Sequence, residues 1–174
     1  MTNMQAYWEN ICKIYFLTKH YLLLAEEISE NFETFLQPIK EHRDAFDHIA
    51  RVYGYGMLDK KIDDVDSYRL ENMQKAVGHT YRAFFDTADW LSYTLRKKIR
   101  EALSACTKEQ ITSKFPSYES AKRLLRDVPI KIAKIRSNKD LSDDESMLVK
   151  EVEEYSKLLD DLLAIYYEVY DLFC

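Results

Sequence analysis

The chain has 174 residues, about one domain's length at roughly 100 to 200 residues per domain. It has only three glycines and three prolines, so it lacks the residues that tight hairpins and glycine-rich phosphate loops require. The composition therefore argues against β-sandwiches and dinucleotide-binding folds. The net charge of −5 is unevenly spread: residues 96–139 hold thirteen basic and four acidic side chains, and residues 140–174 hold two and eleven.

Apolar residues recur at steps of three and four along most of the chain, the spacing of one helical face. In chain order, we predict a helix from about Ala6 to Phe35, a second from Pro38 to Tyr53, a polar loop over 57–67, a third helix from Asp66 or Ser67 to about Ala105, a fourth from Tyr118 to Ser137, and a last from Asp143 to about Phe173. The sequence therefore predicts an all-α fold, a single-domain antiparallel bundle over residues 1–174 with about five helices, two of them long and central.

Particular residues are expected to begin, break or face these helices. Asp66 or Ser67 is expected to cap the third helix, and Ser142 with Glu145 forms a capping box for the last. Pro129 is expected to kink the fourth helix or to mark a second start. The inward stripe of the second helix is predicted to be Ile39, His42, Ala45 or Phe46, Ile49, and Val52 or Tyr53.

Three cysteines, at positions 12, 106 and 174, lie far apart and form no Cys-x-x-Cys pair. They favour free thiols in a reducing compartment over a zinc or redox site. Ile14–Ala25, an apolar stretch near the start, is interrupted by polar residues and is too short to span a bilayer. We therefore expect a soluble cytoplasmic protein that has no membrane partner.

The densest polar cluster lies on the second helix, in the segment His42-Arg-Asp-Ala-Phe-Asp-His-Ile-Ala-Arg51. The spacing Arg43-x4-His48, with an acid directly after the arginine, resembles the motif of the HEPN superfamily. These all-helical domains include metal-independent ribonucleases of toxin, antiphage and RNA-processing systems. The resemblance implies that Arg43, Asp44 and His48 are catalytic, that no metal or cofactor is needed, and that a homodimer forms a composite cleft.

The same three residues suit RNA cleavage chemically. A histidine, with an ordinary pKa near 6.5, can take the proton of a ribose 2′-hydroxyl or protonate the leaving oxygen, which is the role expected of His48. Arg43 would stabilise the charge that grows on phosphorus, and Asp44 would orient one of the two. Attack by the 2′-hydroxyl predicts selectivity for RNA and a cyclic-phosphate product.

A purely structural interpretation of the cluster stays open. Asp47 lies four residues from both Arg43 and Arg51, and Asp44 lies four residues from His48. The cluster can therefore be a surface ladder of ion pairs, each contributing about 0.2 to 0.5 kcal/mol to helix stability.

The third helix carries a second polar cluster, expected to line the same groove or to set the helix register. Its members are His79, Arg82, Asp86 and Asp89. The segment from His79 to Ala83 is also similar to histidine phosphotransfer domains, in which a basic and then a small residue follow the reactive histidine. No Glu-x-x-His or His-Glu-x-x-His motif occurs, so no metal site is predicted.

The basic zone has two interpretations: its helix lies beside the acidic one and is neutralised, or it forms a phosphate-binding surface. The side chains predicted to bind RNA combine cations with possible base-stacking rings; they are Arg51, Tyr53, Tyr55, Arg96, Lys97, Arg100, Arg123 and Arg126. The sequence thus favours a ribonuclease or an inactive relative that binds RNA and, as a toxin would, a protein partner such as an antitoxin. A non-enzymatic helical adaptor is the alternative.

Overall fold

The computed structural model describes residues 3–30, 34–57, 61–138 and 145–173. In chain order the elements are α1 (Asn3–Ile28), α2 (Leu36–Tyr53), a short 3-10 helix (Tyr55–Met57), α3 (Val65–Ser104), α4 (Lys108–Lys114), α5 (Tyr118–Asn138) and α6 (Glu145–Phe173). About 91% of the described residues are helical, and no strand occurs among them. The predicted all-α bundle is confirmed.

Helix α3 is the centre of the bundle, and it packs against α1, α2 and α6. Helices α1 and α3 run in the same direction: Gln74 near the start of α3 donates to Tyr7 near the start of α1. Further along, Lys97 pairs with Glu30, which follows α1. Because its neighbours surround it, α3 is buried through most of its length.

Helix α2 runs antiparallel to α3. Its Glu41 lies beside His79, whereas its His48, two turns further along α2, lies beside Asn72, two turns earlier on α3. This register brings two polar segments that are distant in the sequence onto one shared face.

The apolar core divides into a large and a small cluster along α3. The large one joins α1, α3, α5 and α6, and includes Phe84, Leu91 and Leu159. The small one joins the first half of α1, α2 and the first half of α3; its members are Tyr7, Ile11, Val52, Met73, Ala76 and Val77. The polar face shared by α2 and α3 therefore belongs to the end of the bundle with the smaller core.

Several helix boundaries differ from the prediction. Helix α1 ends at Ile28 rather than near Phe35. Helix α3 begins at Val65, because the carboxylate of Asp64, and not Asp66 or Ser67, caps it by accepting from the Ser67 amide at 3.0 Å. The expected cap at Ser142 lies outside the described residues.

Two features of the second half of the chain were also predicted incompletely. Helix α4 was missed, although Thr107 and Gln110 form a complete capping box at its start. Helix α5 continues through Pro129, so the proline does not mark a second helix.

On α2, Ala45 and Val52 are buried as expected, but the predicted inward residue Ile39 is 44% exposed.

Cys12 and Cys106 are free thiols. Within the described ranges, every helix is too short or too polar to cross a membrane.

Candidate active site on helices α2 and α3

The motif arginine lies on the solvent side of α2. The Arg43 side chain is 71% exposed and donates from Nε at 2.9 Å and from Nη2 at 2.7 Å to the carboxylate of Asp44. This hydrogen bonding holds the pKa of Asp44 below its ordinary value, and the nearby rings of His79 and His48 contribute in the same direction. Asp44 is therefore bonded to the exposed arginine and is close enough to both histidines to interact with them electrostatically.

The histidine of the motif faces α3. Nδ1 of His48 lies 2.9 Å from Oδ1 of Asn72, whose amide nitrogen donates to the carbonyl oxygen of Tyr68 at 2.8 Å. Because the Asn72 oxygen is an acceptor, the network assigns the proton to Nδ1 of His48. Its Nε2 is left as the acceptor of the neutral ring.

His79 of the second cluster is held by a carboxylate from α2. Its Nδ1 lies 2.8 Å from Oε2 of Glu41, and Nε of Arg82 donates to the same oxygen at 2.9 Å. Nη2 of Arg82 also lies 2.7 Å from Nδ1. The Glu41 carboxylate can only accept and the Arg82 guanidinium can only donate, so these two contacts require opposite protonation states of Nδ1, whereas Nε2 has no described partner in either state.

The two imidazole rings stack on each other. Their centroids are 5.3 Å apart and their planes are inclined by 25°. Each ring is oriented through Nδ1, by Asn72 for His48 and by Glu41 for His79, and neither Nε2 contacts a hydrogen-bond partner among the described residues. Near neutral pH a histidine exists in both protonation states, so such a pair can supply one proton acceptor and one proton donor.

Arg82 and Asp89, two other members of the second polar cluster, lie in different places. Arg82 joins the histidine pair through Glu41. Asp89 lies apart from it, because it accepts from the hydroxyl of Tyr155 at 2.6 Å and pairs with Arg136 at 2.8 Å. Burial and Asp89 together raise the pKa of Tyr155 above its ordinary value. Asp89 therefore ties α3 to α5 and α6.

The surface ladder is formed only in part. Arg51 pairs with Asp47 at 2.7 Å as the ladder requires. Arg43, however, bonds to Asp44 rather than to Asp47, and His48 bonds to Asn72 on the next helix. Glu41 and Asn72 were not among the predicted site residues. The available signal was the spacing of residues 41, 44 and 48, which puts three polar side chains on one face of α2.

The side chains predicted to bind RNA do not form one surface. Exposed Tyr53 and Tyr55 lie at the end of α2, beyond His48. Lys97 is engaged with Glu30 and Glu101. Arg96 donates to the carbonyl oxygen of Ser92 at 3.1 Å, and Arg123 is exposed on α5. Arg100 and Arg126 border a separate groove. Arg100 lies about 30 Å from His79 along the axis of α3, because the helix rises 1.5 Å per residue.

An apolar groove lies between α1 and α2. It has a volume of about 270 Å³ and is lined by Trp8, Tyr15, Phe16, His42 and Phe46 among others. Phe16 and Phe46 are 66% and 69% exposed. Burial lowers the pKa of His42. The centroid of its ring lies 5.0 Å from the centroid of the Tyr15 ring.

Among the described residues, no three His, Cys, Asp or Glu side chains are arranged to hold a metal ion. No protein-family model matches the chain, and no curated protein or solved structure matches it significantly.

Proposed function

We propose that this protein is a HEPN-like, metal-independent endoribonuclease of a microbial defence or toxin system, acting in the cytoplasm. The observation that carries the proposal is the stacked pair of His48 and His79, each oriented through Nδ1 and each with Nε2 unpartnered among the described residues. Nη2 of Arg82 lies 2.7 Å from Nδ1 of His79, and Arg43 pairs with Asp44, whose carboxylate interacts electrostatically with both rings.

The proposed reaction uses the two rings in complementary roles. The neutral histidine takes the proton of a ribose 2′-hydroxyl, and the oxygen attacks the adjacent phosphorus. The bond from phosphorus to the 5′ oxygen breaks, and the protonated histidine gives its proton to that oxygen. The products are a 2′,3′-cyclic phosphate and a 5′-hydroxyl. The arginines stabilise the additional negative charge of the phosphorane.

Cleavage of a labelled mixed-sequence RNA in EDTA tests this proposal. We expect the wild type to cut RNA, to leave cyclic-phosphate ends, and to spare a strand that lacks 2′-hydroxyls. His48→Ala and His79→Ala are each expected to lose about 10²- to 10⁴-fold in rate, the usual contribution of one acid or base. Arg43→Ala is also expected to lose activity, because charge stabilisation in the transition state weakens.

His20→Ala is the matched control, because His20 is exposed on α1 and lies outside the site. All variants are compared after circular dichroism confirms that they fold. Absence of cleavage by the wild type, or equal cleavage by all variants, would reject the enzymatic proposal and leave an inactive relative or an adaptor. The resemblance also implies a homodimer, which sedimentation velocity measures directly.

A protein-interaction module is the second candidate function, and the apolar groove between α1 and α2 favours it. Exposed aromatic side chains that adjoin one another are uncommon on proteins without a binding partner. Phe16→Ser with Phe46→Ser would then abolish partner binding and leave RNA cleavage unchanged. The phosphotransfer hypothesis for His79 stays a third prediction.

A further inference from the structure

A second groove lies at the opposite end of α3 from the histidine pair, where α3, α4 and α5 meet. We call it the basic groove. It has a volume of about 420 Å³. Arg100 of α3 borders one side, and Lys122 and Arg126 of α5 border the other. Leu103 and Leu125 contribute apolar surface, and the ring of Tyr118 lies at the start of α5.

The positive charge of the basic groove is weakly neutralised. Among the described residues, Arg100 and Lys122 form no ion pair, and Arg126 pairs only with its neighbour Asp127 at 2.9 Å. The Lys122 ammonium lies over one face of the Tyr118 ring, 5.8 Å from its centroid. Burial, and then the charge of Arg100 one turn away, lower the pKa of Arg96. No ion pair joins α5 to the acidic helix α6 within the described ranges, so direct pairing does not cancel this charge.

We propose that the basic groove binds single-stranded RNA, with phosphates on Arg100, Lys122 and Arg126 and a base against Tyr118 and the leucines. Lys122 and Arg126 are one helical turn apart, about 6 Å along the axis, so they can contact successive points of a phosphate backbone. A cationic groove that follows the backbone, combined with an aromatic ring for stacking, is how proteins hold single strands. A duplex keeps its bases paired and offers none to the ring.

This inference rests on the proposed function and adds the form of its substrate. The basic groove is about 30 Å from His79 along α3, because the helix rises 1.5 Å per residue. One strand must therefore extend along the bundle to reach both the groove and the histidine pair. We expect long single strands to be cut faster than oligonucleotides that reach only one of the two places.

Binding is tested in the His79→Ala background, so that cleavage does not interfere. The probe is a fluorescent single-stranded RNA of about 20 nucleotides, and the readout is anisotropy over a range of salt concentrations. The test variant carries Arg100→Gln, Lys122→Gln and Arg126→Gln. The matched control carries the same charge change at exposed sites elsewhere, as Lys19→Gln, Lys61→Gln and Lys150→Gln.

We expect the groove variant to bind at least about tenfold more weakly at moderate salt. The slope of log K against log salt concentration should become shallower by about 2, because each lost phosphate contact reduces that slope by about 0.7 for a single strand. The control is expected to stay within about twofold of the His79→Ala parent. Tyr118→Leu is expected to weaken binding about tenfold by removing the stacking ring, whereas Tyr118→Phe retains it.

The inference is overturned if the parent does not bind RNA, if groove and control variants bind equally, or if a paired duplex binds as tightly as the single strand. Groove-dependent binding of a polyglutamate peptide in place of RNA would also overturn it. Because binding is measured without cleavage, a failure here leaves the ribonuclease test unaffected, and loss of cleavage leaves this binding result unaffected.

Discussion

One carboxylate oxygen of Glu41 contacts both Nδ1 of His79 and Nε of Arg82. Only 14% of the Glu41 side chain is exposed. Burial by itself raises the pKa of this carboxylate, but the hydrogen bonds from His79 and Arg82 outweigh it, so the pKa lies below its ordinary value. A carboxylate whose pKa is lower in the folded than in the unfolded state stabilises the fold above the unfolded pKa. That contribution is lost as the pH falls through the folded pKa.

Glu41→Gln is therefore expected to destabilise the protein at pH 7, by about 1 to 2 kcal/mol for hydrogen bonds to a charged group. The difference from wild type should shrink as the pH falls below about 4.5, the ordinary pKa of the glutamate side chain. Urea unfolding at pH 7 and at pH 3.5 measures both quantities. Glu27→Gln, on the exposed side of α1, is the control. A difference that stays constant with pH would contradict this account of Glu41.

The sequence identified His48 and His79 separately but could not show that they meet. Each stands in a polar segment at helical spacing, which local patterning reveals. Their contact depends on the antiparallel register of α2 on α3, which is set by packing of the small apolar cluster. Glu41 and Asn72 were missed for the same reason: each becomes a site residue only through its partner on the other helix.

At the scale of the helices, the start of α3 depends on one side chain. The carboxylate of Asp64 accepts from the Ser67 amide, which has no acceptor within the helix. We expect Asp64→Ala to lower the free energy of unfolding by about 1 kcal/mol. Asp66→Ala, in the first turn, removes only the weaker interaction with the helix dipole and should cost less than half as much. Chemical denaturation measures both, and a larger loss for Asp66→Ala than for Asp64→Ala would contradict the assignment of Asp64 as the cap.

The long helices were predictable because their buried faces repeat at helical spacing over many turns, as in Phe84, Ala88, Leu91 and Leu95 of α3. Short helices and the ends of helices were less predictable. Helix α4 spans only Lys108–Lys114 and buries no residue, so its apolar pattern carries little signal. The composition of the chain therefore determines the helical class, whereas helix limits depend on individual hydrogen bonds.

For the whole molecule, α3 connects two ends that have different cores and carry different proposed sites. The histidine pair lies where α2 docks on the small apolar cluster, and the basic groove lies beside the large one. Positive charge is concentrated at one of these ends, because the basic zone of the sequence forms the last part of α3 together with all of α4 and α5. Sequence alone indicated both the cations and the histidines, but the length of α3 sets the separation of about 30 Å between them.

The two clusters should respond differently to cavities. Met73 and Leu159 are both fully buried, in the small and the large cluster respectively. Truncation of either to alanine is expected to cost about 2 to 5 kcal/mol. Because helices open locally where few apolar contacts hold them, Met73→Ala should accelerate amide exchange in α2 more than in α5 and α6, whereas Leu159→Ala should do the opposite.

Hydrogen exchange with mass spectrometry resolves this difference helix by helix, and the proposed activities provide a second readout. Met73→Ala loosens the helix that carries His48, so RNA cleavage should fall while RNA binding in the basic groove persists. Leu159→Ala should weaken binding more than it slows cleavage of a saturating substrate. Uniformly faster exchange in both variants would mean that the two clusters unfold as one cooperative unit, and the division of the bundle into two ends would then have no energetic basis.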